Sequence, residues 1–107
     1  METMLYEYPA GAPASGRALA GVVGSGDLEV LLEPGVEGLS TVAICTSVDG
    51  MGAVWQALLE RVLRSDALTA ELLPSVRLEI NDFGATPGVV RLRIAQAFDQ
   101  LKQGVQA

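Results

Sequence analysis

The chain has 107 residues, half of them hydrophobic and 19% charged, with a formal net charge of -6, a composition that points to one compact domain over residues 1–107 and away from a disordered segment. The acidity opposes binding to a phosphate backbone, and no basic patch relieves it, so no nucleic-acid partner is expected. No apolar run approaches a membrane span, and with no histidine and a single cysteine a Ser-His or Cys-His pair, a His/Cys zinc site and an internal disulfide are all excluded.

Lys102 is the one lysine and lies near the end, in "QLKQG". This argues against a biotin or lipoyl carrier, which needs its lysine at an exposed turn, and removes the P-loop. Met1-Glu2-Thr3 opens acidic where a secretory leader opens basic; with the lone Cys45, the expectation is a reducing, cytoplasmic setting. A domain of this size buries roughly two-thirds of its unfolded surface, enough for one modest core.

In chain order, "MLYEYPA" alternates and is aromatic-rich, which predicts a short first strand. "GAPASGR" is a connector, and "ALAGVV" reads as a second strand. "GSGD", residues 24–27, is turn chemistry: glycine tolerates positive φ and aspartate favours turns. "LEVLLE" places Leu28, Val30 and Leu32 on one face as a strand, or forms a turn or two of helix capped by Asp27. The strand is preferred, because Pro34-Gly35 stops the run early and a hairpin across "GSGD" is the simplest connection. "STVAICTSV" is β-branched and long enough for a strand, ended by Asp49-Gly50.

Residues 51–64 carry Met51, Val54, Trp55, Leu58, Leu59 and Val62 at helical spacing, with Gln56, Glu60, Arg61 and Arg64 mostly opposite. "SDALTAELLPS" reads as a connector with room for one helical turn. "SVRLEINDF" alternates: Val76, Leu78 and Ile80 on one face, Arg77, Glu79 and Asn81 on the other, a sheet with one wet face. A second helix opens with Thr86 as N-cap and Pro87 in the first helical position. Its stripe is Val90, Ile94, Phe98 and Leu101, and Gly104 is its expected stop. The fold class that follows is α+β: a two-layer sandwich with a mainly antiparallel sheet of four to five strands and two amphipathic helices on one face.

Ser25 is the residue with two readings. As a turn serine it satisfies a backbone group, which is the commoner role for this residue type. As an attachment point it offers a hydroxyl at a projecting hairpin tip, with Gly24 and Gly26 giving an approaching enzyme clearance. Asp27 has the roles of orienting the hydroxyl, docking that enzyme, or simply building the turn. "DFG" at residues 82–84 lacks every companion of a kinase magnesium motif and reads as a turn after a strand. Gly21-x-x-Gly24-x-Gly26 is not followed by a long helix and is no dinucleotide fingerprint. Cys45, among small and apolar neighbours in a strand, reads as a buried inert thiol. Trp55 reads as core, with an interface anchor as the alternative. Arg91 and Arg93 fall on different sides of the second helix, solvated or facing a partner. No catalytic residue and no metal ligand set is identified.

"VVGSGDLEVLLEP" and "NDFGATPGVVRLRI", found together, resemble the acyl carrier (delta) subunit family of malonate decarboxylase, over most of the chain. The resemblance implies a non-catalytic carrier. In that family the serine of the "GSGD" segment holds 2'-(5''-phosphoribosyl)-3'-dephospho-CoA through a phosphodiester, and the matching position is Ser25, with Gly24, Gly26 and Asp27 as its supporting turn. The implied cycle starts from an acetyl thioester on the carrier. A transferase subunit exchanges acetate for malonate, and a decarboxylase subunit releases carbon dioxide and restores the acetyl form. A thioester is the better electron sink for the developing carbanion, and the tether holds the acyl group at high effective concentration for successive sites. The implied partners are those acyl transferase and decarboxylase subunits and a prosthetic-group transferase. No role for the "DFGATPG" residues follows from the resemblance. The carrier subunit of citrate lyase, with the same kind of group, is the nearest alternative; a noncovalent scaffold subunit, with Ser25 only a turn, is the alternative of a different class.

Overall fold

A computed structural model describes residues 1–64 and 73–106, with side chains for 1–63 and 73–101. The strands are β1 (Glu2–Pro9), β2 (Ala18–Gly21), β3 (Leu28–Pro34), β4 (Leu39–Thr46) and β5 (Val76–Asp82); the helices are α1 (Gly52–Arg64) and α2 (Pro87–Gln106). The connector expected after α1 lies largely outside the described residues.

The five strands form one sheet in the order β1-β4-β5-β3-β2. Three pairings are antiparallel (β1 with β4, β3 with β5, β2 with β3), and β4 with β5 is parallel. The parallel pair is a consequence of α1: parallel neighbours need a long crossover, and the helix between β4 and β5 supplies it. Mainly antiparallel with two helices, α+β, is the architecture the patterning predicted.

The alternation in the sequence is realised face by face. Leu28, Val30 and Leu32 of β3, Val42 and Ile44 of β4, and Val76, Leu78 and Ile80 of β5 are all buried on one side. Trp55, Leu58 and Leu59 of α1, and Val90, Ile94 and Leu101 of α2, close over them. Truncating any fully buried leucine here would cost about 2–5 kcal/mol.

Four details depart from the sequence reading. Cys45 is half-buried, not buried. The helices cover one face of the sheet, and Cys45 alternates with Ile44 and Thr46 onto the other, so its neighbours in sequence do not enclose it. Val54 is 42% exposed and lies outside the core stripe of α1. In α2 the fully buried residue after Ile94 is Ala97, with Phe98 only partly buried. The strand beneath α2 explains this: β2 presents Ala18 and Ala20 inward, and small side chains on both elements allow close approach. Finally, α2 runs through Gly104 to Gln106; a glycine in a helix costs only about 1 kcal/mol relative to alanine and is no obligatory stop.

Candidate functional site

The β2–β3 hairpin carries Ser25. The Asp27 N–H donates to the Gly24 carbonyl at 3.1 Å, closing a four-residue turn with Ser25 second and Gly26 third. Gly26 has φ +77°, the conformation a type II turn demands at its third position and the reason a glycine stands there. Ser25 is exposed. A Cβ added to Gly26 would meet no heavy atom within 4 Å, and one added to Gly24 would reach only the Val22 side chain, at 3.9 Å. Ser25 therefore stands at a tip with open space beside Gly26. Val22 and Val23, on the approach to the turn, are exposed at 61% and 62%.

The tip is a firmly held structure. The Gly26 N–H donates to the Phe83 carbonyl at 2.8 Å, and the Phe83 N–H returns a bond to the Asp27 carbonyl at 3.0 Å. This pair carries the β3–β5 ladder one step past its last register pair, Leu28 with Asp82. At the base, Gln100 of α2 donates from Nε2 to the Leu19 carbonyl at 2.8 Å and accepts from the Leu19 N–H at 3.2 Å. Both outward backbone groups of an edge-strand residue are thereby paired.

Asp27 is the second anchor. Arg93 donates from Nε to Asp27 Oδ1 at 3.1 Å and from Nη2 to Oδ2 at 2.8 Å, a two-pronged clamp. Asp27 Oδ1 also accepts from the Leu28 N–H at 2.7 Å, and Gln96 accepts from Arg93 Nη1 at 3.0 Å. The two side chains are 17% and 27% exposed. The Arg93 hydrogen bonds first, then that from Leu28, hold the Asp27 carboxyl below its ordinary value of 3.8; the same bonds hold Arg93 in its charged form. Of the roles open to Asp27, the geometry favours building the turn: both carboxylate oxygens are committed to Arg93 and the backbone.

The "DFG" segment, a turn after a strand as expected, is the platform under the tip. Asp82 is buried at 4%. Its Oδ2 accepts from Thr46 Oγ1 at 2.8 Å, and its Oδ1 accepts from the Ala85 N–H at 3.0 Å. Gly84 turns the chain at φ +92°, and Thr86 caps α2, accepting the Val89 N–H at 3.3 Å through Oγ1. So Phe83, Asp82 and Arg93 support the serine turn from more than fifty residues away in sequence. Sequence reasoning assigned them no such role. The available signal was the side of α2 on which Arg93 falls, but the partner of that side chain depends on where the helix is laid. Arg91, by contrast, is exposed and takes no part in the clamp. Among the described residues no group of three or more acidic or cysteine side chains forms a metal site.

Residues 15–101 match the family model described as malonate decarboxylase delta subunit (MdcD). The chain is 56% identical over 100 residues to the malonate decarboxylase acyl carrier protein of Pseudomonas aeruginosa strain UCBPP-PA14, covering 94% of this chain and 96% of that protein. It is 52% identical over 101 residues to the protein of the same name from Pseudomonas fluorescens strain SBW25, covering 94% and 97%. Its fold is similar to a chain in the crystal structure of a Pseudomonas malonate decarboxylase hetero-tetramer in complex with malonate, with a TM-score of 0.87 and 51% identity over 94% of this chain and 99% of that one. The chain belongs to the malonate decarboxylase acyl carrier, or delta subunit, family.

Proposed function

We propose that this chain works within a multi-subunit malonate decarboxylase as its covalent acyl carrier, with 2'-(5''-phosphoribosyl)-3'-dephospho-CoA joined to Ser25 through a phosphodiester. The observation that carries the reading is the placement of Ser25: exposed, second in a glycine-flanked turn, with free space beside Gly26. That exposure and the open space beside Gly26 suit the attachment of a bulky group. The relative solved as a hetero-tetramer supports an assembled setting.

When attached, the group supplies a thiol on which acyl groups travel as thioesters. Everything else asked of this chain is positional. The Asp27–Arg93 clamp and the Gly26–Phe83 bonds present the turn in one fixed geometry, so a modifying enzyme docks onto a rigid tip and loses little ordering entropy. Asp27 does not serve as a base toward Ser25, because its lone pairs face Arg93 and Leu28; the proton of the serine hydroxyl leaves to a base of the modifying enzyme. With no histidine in the chain, the acids and bases of the acyl reactions belong to transferase and decarboxylase subunits. Among the described residues no helix is long and apolar enough to cross a membrane.

The test is intact mass of the chain produced with and without its prosthetic-group transferase. The wild type gains one phosphoribosyl-dephospho-CoA, located by peptide mapping at Ser25. Ser25→Ala gains nothing, yet melts within ~0.5 kcal/mol of the wild type, as expected for an exposed side chain. A wild type that stays unmodified beside an active transferase, or a Ser25→Ala chain that still supports the complex, returns the scaffold reading.

A further inference from the structure

We infer that the seam between α1 and α2 is a groove that binds the arm tethered at Ser25, with Arg91 at its far end taking an anionic group of that arm; this rests on Ser25 being the attachment point. The seam has a geometric origin. α2 lies over β2 and β3, α1 reaches toward β1, and the two helices meet only briefly. Five strands at about 4.8 Å spacing span about 19 Å, which two helices of roughly 10 Å diameter cover side by side without interlocking. The residues along the outer part of the seam include Ala53, Ala57, Gly88 and Ala95, too small to close it.

The groove begins at the Gly84–Ala85 turn, which adjoins the serine turn. Its first stretch is lined by Gly84 and Ala85 together with Trp55, Leu58 and Val90. A Cβ on Gly84 would lie 4.0 Å from the Gly26 nitrogen, one residue from Ser25. Val54, Leu58 and Pro87 line both this stretch and the next, so the two adjoin. The second stretch ends at Arg61 and Arg91. Pro87 to Arg91 advances only about 6 Å along the helix, a short span for an arm that joins nucleotide and pantetheine.

The walls near the turn are apolar, with Trp55 and Val90 at 5% and 2% exposure forming the floor, and suit the adenine ring, which lies between Ser25 and the diphosphate of the arm. Arg17, Arg77 and Arg93 are each paired with a carboxylate. Arg91 is exposed, and among the described residues no carboxylate pairs with it. In a chain of net charge -6, an unpaired guanidinium is where an anion is best received. The arm offers two: its diphosphate, and the carboxylate of a malonyl load.

The experiment compares 15N amide and indole spectra of apo and holo chain, with loading first established by mass. Binding in the groove shifts Ala85, Gly88, Arg91 and the indole of Trp55, the chain's one tryptophan, as well as residues 22–27. Ala57→Phe, which fills the seam, and Arg91→Glu, which reverses its charge, each reduce the groove shifts by about half or more while leaving those of the turn. An Arg91→Glu effect equal in thiol, acetyl and malonyl forms assigns the diphosphate; one confined to the malonyl form assigns the carboxylate. A loaded chain whose shifts stop at residues 22–27 overturns the groove and keeps the carrier reading. A chain that is not loaded at all overturns both. Groove shifts that appear equally in apo chain and fade on dilution belong to a second copy, and also overturn it.

Discussion

Gly21 and Gly26 bracket the serine turn and share one backbone peculiarity, φ +81° and +77°, but they differ in surroundings. A side chain at either position incurs the left-handed backbone penalty of about 1–2 kcal/mol. At Gly26 nothing more is added, because a Cβ would point into open space. At Gly21 a Cβ would overlap the Leu28 carbonyl oxygen and press on the Arg93 side chain at 3.3 Å. Leu28 is the first residue of β3 and pairs with Asp82. Its carbonyl can retreat only by giving up about one backbone hydrogen bond, worth about 1 kcal/mol, and by shifting packed neighbours at a further 1–3 kcal/mol or so. Gly26→Ala is therefore expected to cost about 1–2 kcal/mol and Gly21→Ala about 3–6 kcal/mol. At roughly 4 °C per kcal/mol for a domain of this size, the two melting temperatures separate by about 8 °C or more. Differential scanning calorimetry of both variants at one pH checks this. Equal depressions would refute the reasoning, since they would mean that the close approach of Gly21 to Leu28 is absent.

The remaining predictions concern the supports of the tip. Asp27→Asn removes a carboxylate whose folded value is depressed, so the wild type's advantage over this variant is full above the ordinary carboxylate value of 3.8 and is lost as pH falls through the lower folded one; urea melts of both chains between about pH 7 and about pH 2 show the curves converging on the acid side. Arg93→Lys keeps the charge but loses the fork, so the rate at which the transferase loads Ser25 should fall while the melting temperature changes less than with Arg93→Ala; equal behaviour of the two variants would remove the geometric argument. Asp82→Ala strands the Thr46 hydroxyl and the Ala85 N–H, with an expected loss of about 2–4 kcal/mol and faster amide exchange at Gly26 and Phe83, read by hydrogen-exchange mass spectrometry.

How much was legible in the chain itself can be argued residue by residue. The alternation in "SVRLEIND" and "LEVLLE", the helical spacing from Trp55 to Leu59, and the Thr86-Pro87 start of α2 are local signals, and local physics realised them. The turn at "GSGD" was equally local: a glycine at the third position and an aspartate at the fourth need no distant partner. Where each strand lies in the sheet was not written in any segment, because register and order are settled by which faces must be buried together. Cys45 shows the cost of reading neighbours in sequence as neighbours in space.

The sequence by itself determined the five strands, the two helices and an unshielded serine at a bend, because periodicity and turn chemistry act over a few residues. Only the tertiary structure decided that Arg93 grips Asp27, that Phe83 extends the ladder beneath Gly26, and that the helices part above β4 and β5. Those contacts join segments about fifty to seventy residues apart, and hydrogen-bond geometry between such segments exists only after the sheet and helices have packed.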